Sequence, residues 1–216
     1  WVEISRKSLE NNIKTVRGIL APKTKLWSVV KSNAYGHGLV AFAQTASASV
    51  DGFCIDSVTE GIKLRKNGLK KPILVLGPTL PGLIKEASKN TIIISISNFD
   101  ALKNFIQSEL KPKFHLKIDT GMHRQGFYVS ELSRAIKMIK SSGFSDSLTG
   151  VFTHFASAKD INYPTYTDMQ FAGFQKAISI LEKAGFKNLM KHASATGGTL
   201  INPKYHLDAV RVGIGL

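Results

Sequence analysis

The chain has 216 residues, 43% of them hydrophobic, enough to bury a sizeable core and to form one large α/β domain. Its formal net charge of +14 comes from 29 Lys and Arg against 15 Asp and Glu. The basic residues recur along helix-like segments (Lys63, Lys66, Lys85, Lys103, Lys137, Lys140, Lys176, Lys183) with no aromatic-interleaved basic stretch on which bases could stack, so no nucleic-acid partner is expected.

The single cysteine, Cys54 between Phe53 and Ile55, excludes a disulfide framework and reads as a buried thiol. No apolar run approaches the ~20 residues of a membrane span and no basic-then-apolar leader opens the chain, so the expected location is cytoplasmic, with no membrane partner.

Along the chain, Trp1-Val2-Glu3-Ile4 reads as a short strand with no obvious partner, and Ser8 to Leu20 as a helix with Leu9, Ile13, Val16 and Leu20 on one face. A strand over Lys25 to Lys31 follows, in which the apolar run Leu26-Trp27-Ser28-Val29-Val30 ends abruptly in Lys31 and a glycine-bearing polar turn. A lysine at the carboxyl end of a buried strand is partly desolvated and biased towards the neutral amine that attacks a carbonyl cofactor. A surface lysine that merely closes a strand is the alternative.

The remaining predicted strands are Gly52 to Asp56, Ile73 to Gly77, Ile92 to Ile96, Phe114 to Asp119, Leu148 to Phe155, Met190 to Ser194 and Ala209 to Gly213. Helices are predicted over Ser57 to Asn67, Pro81 to Lys89, Asn98 to Gln107, Ser130 to Ser141 and Thr167 to Ala184. Eight β units alternating with helices predict a parallel (β/α)8 TIM-like barrel. The rival, an open doubly wound sheet, would normally carry a GxGxxG fingerprint in its first βα turn, and none is present.

In such a barrel, side chains alternate between the interior and the helix layer, and catalytic groups gather at the carboxyl ends of the strands. His115, Lys117 and Asp119 fall on one face of their strand. His154, then His192 and Ser194, then Arg211 mark the ends of the last three. Each alone has an ordinary structural explanation, a satisfied histidine or an ion-paired arginine, and their coincidence on successive strands argues for a site. An inward Lys117 close to Arg124 would be a buried like-charge pair, costly unless the charge is neutralised or inverted, and Asp119 is one structural answer. The turns Thr196-Gly197-Gly198 and Val212-Gly213-Ile214-Gly215, with the hydroxyls of Tyr35 and Thr196, could hold a phosphate. No His/Cys/Asp/Glu set has metal-ligand spacing, so no metal is expected.

Five ordered segments, VVKSNAYGHG, KIDTGMHRQGF, FTHFASA, HASATGG and VRVGIGL, closely resemble the motifs of alanine racemase, a fold-type III pyridoxal-phosphate enzyme, and the resemblance runs from WVEIS to the last residue. It implies pyridoxal 5'-phosphate as cofactor and catalytic roles for Lys31, Arg124, His154 and Arg211. Lys31 would form the internal aldimine and serve as one of two bases. Tyr35, Thr196, Gly213 and Ile214 would bind the phosphate and His154 would line the cofactor site. Arg211 would face the pyridine nitrogen with His192 supporting it, and Arg124 would contact the cofactor's phenolic oxygen and the substrate carboxylate. Lys117 matches a lysine often carbamylated in the family, which would invert its charge.

The implied activity is interconversion of L- and D-alanine, supplying D-alanine for cell-wall peptidoglycan, by a head-to-tail homodimer of the full-length protein. A serine or broader-specificity racemase, and a non-enzymatic barrel-only carrier of the cofactor, are the alternatives. Two departures stand out. Ala195 and Thr196 replace the family's usual asparagine and serine. The chain also stops at Leu216, before the C-terminal β domain whose tyrosine is the other base. On this reading residues 1–216 are the barrel domain, 1–4 being a strand of the absent β domain, and the fragment alone should be inactive.

Overall fold

The computed structural model describes residues 3–162 and 164–216. Eight parallel strands occur among them: β1 (Lys25–Val29), β2 (Gly52–Ile55), β3 (Ile73–Val75), β4 (Ile94–Ile96), β5 (Phe114–Lys117), β6 (Leu148–Phe152), β7 (Met190–His192) and β8 (Ala209–Val212). They pair in two runs, β3-β2-β1-β8 and β4-β5-β6-β7. Single bridges, Leu74 with Ile93 and Ala195 with Arg211, join the runs at both seams. At those seams Val75 N–H donates to the Ile93 carbonyl (2.9 Å) and Arg211 N–H to the Ser194 carbonyl (3.0 Å), so the sheet closes on itself as a (β/α)8 barrel.

The helices wrap this sheet: α1 (Arg6–Gly18), α3 (Leu39–Ala46), α4 (Val58–Lys66), α5 (Ile84–Lys89), α6 (Phe99–Gln107), α7 (Leu132–Ser141), α8 (Pro164–Lys183) and α9 (Thr196–Ile201). Their starts are set by short polar side chains. Ser5, Ser57 and Asn98 each accept a hydrogen bond from a backbone N–H in the first turn of α1, α4 and α6, a contact worth about 1 kcal/mol apiece. Leu9, Ile13 and Val16 of α1 are buried, as their spacing predicts.

Period-two alternation splits the apolar residues between two cores. Leu26, Phe53, Ile55, Ile73, Val75, Val210 and Val212 face the helices, while Trp27, Val29, Cys54, Leu74 and Ala209 fill the barrel interior. His115 lies inside as well, its ring beside that of Trp27 at a centroid distance of 6.2 Å. Its register partner across the sheet is Gly150, where a Cβ would come within 2.6 Å of the imidazole, so glycine makes room for the ring. Cys54 is fully buried, and burial pushes its thiol up to about 12.

Seven of the eight strands are shorter than predicted at their carboxyl ends, whereas β4 ends at Ile96 as predicted and starts two residues later. Lys31 is not in β1 but opens a one-turn element, α2 (Lys31–Tyr35). There Ser32, Asn33, Ala34 and Tyr35 have φ of 54°, 56°, 53° and 54°, a left-handed turn built from four non-glycine residues. Such backbone costs roughly 1–2 kcal/mol per residue and persists only when its surroundings hold it. Of the strand expected over residues 1–4, Trp1 and Val2 lie outside the described residues, and Glu3 and Ile4 form no strand.

Candidate active site

A cavity of ≈ 490 Å³ opens at the carboxyl-terminal mouth of the barrel, lined in part by Lys31, Lys117, Arg124 and Arg211. Four cations face it, from the turn after β1, the end of β5, the loop after β5 and the middle of β8, against a single carboxylate, Asp56. Lys31 Nζ stands 3.5 Å from Asp56 Oδ1, its side chain 36% exposed towards the cavity mouth. Asp56 was not singled out from sequence, although it closes the predicted second strand.

Arg211 is the most constrained of the four. Its Nη2 donates to the carbonyls of Thr153 (2.8 Å) and Ala193 (2.9 Å), and its Nη1 donates to His192 Nδ1 (2.5 Å). A guanidinium only donates, so His192 Nδ1 must be the unprotonated nitrogen and its Nε2 carries the hydrogen, directed at His115 Nδ1 2.9 Å away. Burial first, then the charge of Arg211, lowers His115 to about 3 and keeps His192 well below its ordinary value, so both rings are neutral. Burial lowers Arg211 to about 10, opposed by Cys54, which leaves it charged at neutral pH. Phe152 stacks on His192 (4.8 Å between centroids) and lies under Arg211 and Lys117, an aromatic floor the sequence did not announce.

Lys117 is 4% exposed. Burial, then the charges of Arg124 and Arg211, with a smaller push from Lys31, lower its amine to about 7, while Asp119 acts in the opposite direction. The like-charge conflict foreseen from sequence is therefore real, and Asp119 relieves only part of it. Asp119 is itself occupied: Oδ1 accepts from the N–H groups of Gly121 (2.9 Å) and His123 (3.1 Å), and Oδ2 from that of Arg124 (3.2 Å). Burial would raise its pKa, but these three donors outweigh it and hold the carboxyl below its usual value. The carboxylate thus shapes the loop that carries Arg124.

Tyr35, Thr196, Gly213 and Ile214 meet on one side of the cavity. Thr196 Oγ1 accepts from Gly213 N–H (3.3 Å), and a Cβ on Gly213 would lie 2.7 Å from the Tyr35 hydroxyl, so only glycine lets the tyrosine in. Ile214 is 83% exposed at the rim. His154 also lines the cavity, lowered to about 3 by burial and then by Arg211, Arg124, Lys117 and Lys31. Every residue given a role by the family resemblance reaches this cavity except His192, which stands behind Arg211; His115, Asp119 and Ser194 lie outside it as well. Among the described residues no cluster of three His, Cys, Asp or Glu could hold a metal, and no helix is long and apolar enough to cross a membrane.

Fold and site together define a (β/α)8 barrel with a lysine in a cationic pocket at its carboxyl-terminal rim. The profile of the family described as "Alanine racemase, N-terminal domain" matches residues 4–216, and the chain belongs to that family. It is 35% identical to alanine racemase of Leptospira interrogans serogroup Icterohaemorrhagiae, an alignment that takes in 100% of this chain and 56% of that one. It is 38% identical to alanine racemase 2 of Oceanobacillus iheyensis, again over 100% of this chain and 56% of that protein. A crystal structure of alanine racemase from Bacillus anthracis with bound L-Ala-P superposes with a TM-score of 0.91 at 30% identity, covering 99% of this chain and 56% of that one. The chain therefore spans little more than half the length of the relatives it matches.

Proposed function

We propose that the protein racemises alanine with pyridoxal 5'-phosphate held in the cationic cavity, the 216 residues being the barrel domain of a longer polypeptide. The observation that carries this reading is the placement of Lys31 Nζ, paired with Asp56, in a pocket it shares with Lys117, Arg124 and Arg211. The residues fit the cofactor: a phosphorylated, anionic aldehyde needs a reachable amine, a cationic surround and a close-approach turn such as the one where Gly213 meets Tyr35.

When bound, pyridoxal phosphate supplies an electron sink for the charge left at Cα when its proton departs. Lys31 would attach the cofactor, and its Nζ would take or return the Cα proton on one face of the substrate. Tyr35, Thr196, Gly213 and Ile214 would hold the phosphate. Arg211, charged and held by three hydrogen bonds, would donate to the ring nitrogen without surrendering its proton. Arg124 would orient the substrate carboxylate and His154 would line the cofactor site. Carbamylation of Lys117, whose lowered pKa leaves much of the amine neutral near pH 7, would replace the unfavourable cation beside Arg124 with an anion.

The opposing base would come from a C-terminal domain of the partner in a head-to-tail homodimer. The D-alanine produced would serve cytoplasmic peptidoglycan precursor synthesis. The longer relatives, alanine racemases at 33–38% identity, favour this over a barrel-only cofactor carrier. The deciding experiment is expression of the uninterrupted gene product, assayed for cofactor content and for racemisation of alanine against serine. Covalent cofactor that persists in Lys31→Ala, read by borohydride trapping and peptide mapping, refutes the role of that lysine.

A further inference from the structure

Glu60, in the first turn of α4, appears in none of the motifs and does not line the cavity, yet it touches the segment that carries Lys31. Its Oε1 accepts from the backbone N–H groups of Ser32 (2.8 Å) and Asn33 (3.4 Å), and its Oε2 accepts from that of Asp56 (2.8 Å). One carboxylate thereby ties the left-handed turn after β1 to the loop after β2. The two sides of this tie are the two partners of the ion pair at the site, Lys31 and Asp56.

The turn needs such a tie. Its four left-handed residues lack glycine, and N–H groups that converge in left-handed backbone form a concave donor surface that suits an anion. At the far end, Asn33 Oδ1 accepts from Leu39 N–H (2.9 Å) and secures the exit into α3. At the near end, the side-chain acceptor is Glu60. Ser57 Oγ accepts from Glu60 N–H (3.3 Å), so the cap of α4 fixes where the carboxylate sits.

We propose that Glu60 is a positioning residue for this site: it clamps the strained turn so that Lys31 faces Asp56 and Tyr35 meets Gly213. The amine-presenting geometry is thus set from a position 29 residues away in sequence, by a group that touches neither reacting atom. The consequence for cofactor attachment rests on the functional reading above, whereas the clamp itself does not.

The discriminating variant is Glu60→Gln in the full-length protein. It keeps the shape of the side chain but replaces a group that only accepts with one whose amide donates, so the three N–H partners cannot all be met. Asn98→Ala, which removes the equivalent cap of α6 and touches neither Glu60 nor the turn, serves as the structural control. Charge-assisted hydrogen bonds are roughly twice as strong as neutral ones, and Glu60→Gln is expected to speed amide hydrogen exchange at Ser32 and Asn33 about tenfold or more, sparing the barrel strands. Attachment of added pyridoxal phosphate, followed by visible absorbance, should slow by a similar factor, while Asn98→Ala moves neither readout selectively.

Exchange at Ser32 and Asn33 within about twofold of the parent overturns the clamp, and faster exchange with an unchanged attachment rate overturns its positioning of Lys31. If the parent protein attaches no cofactor at all, the functional reading falls, and the exchange measurement still decides the clamp.

Discussion

His192 receives a hydrogen bond from Arg211 on one ring nitrogen and gives one from the other, so the arginine dictates the tautomer of the histidine. His115 Nδ1 is the acceptor of that second bond. Because Arg211 is fully buried, loss of its acceptor is the more damaging half of this relationship. His192→Leu should cost about 1–3 kcal/mol in denaturant unfolding by leaving a buried charged donor unmet, whereas His192→Asn, whose amide oxygen can stand near Nδ1, should recover part of the loss. Equal stability of the two variants would contradict the tautomer assignment.

Gly150→Ala tests the same chain from below. The added methyl would lie 2.6 Å from the His115 ring and force it to move. Overpacking of this kind costs about 1–3 kcal/mol, and a thermal melt should register it as a clear fall in Tm. An unchanged melting temperature would mean that the ring has room the geometry does not show.

Lys117 makes stability depend on pH in a definite direction. Its amine titrates at about 7 when folded and at 10.5 when free, so between those values the unfolded chain binds the extra proton and stability rises with pH. Above 10.5 both states are neutral, and below 7 both are protonated and the folded state bears the buried cation. In bicarbonate-free buffer, Lys117→Met should flatten that rise, whose size is on the order of a few kcal/mol. Labelled bicarbonate should restore stability near pH 7 in the parent alone and yield a carbamate signal by NMR.

Asp119 works in the opposite pH range. Its carboxyl is lowered below 3.8, so its contribution is complete above that value and is lost as the pH falls through the lower folded-state pKa. Asp119→Ala should cost about 1–3 kcal/mol at neutral pH, because the N–H groups of Gly121, His123 and Arg124 lose their shared acceptor. With Arg124 no longer held, KM for the amino-acid substrate should rise more than kcat falls, and a pure loss of kcat would assign Asp119 elsewhere.

The 216-residue chain by itself should attach cofactor through Lys31 and fail to racemise at a normal rate, since the opposing base is expected from another domain. Substantial turnover by this material, free of longer protein, would refute the two-domain reading.

Much of this was legible in the sequence because a buried parallel strand is a continuous apolar run and the polar residue that ends it is conspicuous. His115, Lys117 and Arg211 could be placed inside the barrel by parity alone. Most of the misplaced boundaries have a common cause: residues such as Lys31 and Asp119 keep the two-residue alternation of their strands for two positions after the strand has ended. Helices α3 and α9 escaped because each is short and begins beside glycine. The left-handed turn at Ser32 to Tyr35 carries no local signature, since it is stabilised by Glu60 from a different βα unit. Phe152 and Asp56 were visible only as ordinary strand residues until the fold set them beside Lys117 and Lys31.

Cys54 gives the barrel a built-in clock. It is the only sulfhydryl in the chain, and it points into the interior between Val29 and Leu74 with none of its surface open to solvent. A thiol-modifying reagent can reach it only when neighbouring strands separate, so the rate of alkylation should follow strand separation rather than side-chain chemistry. Any ligand that settles in the mouth above should slow that rate in proportion to how firmly it holds the staves together.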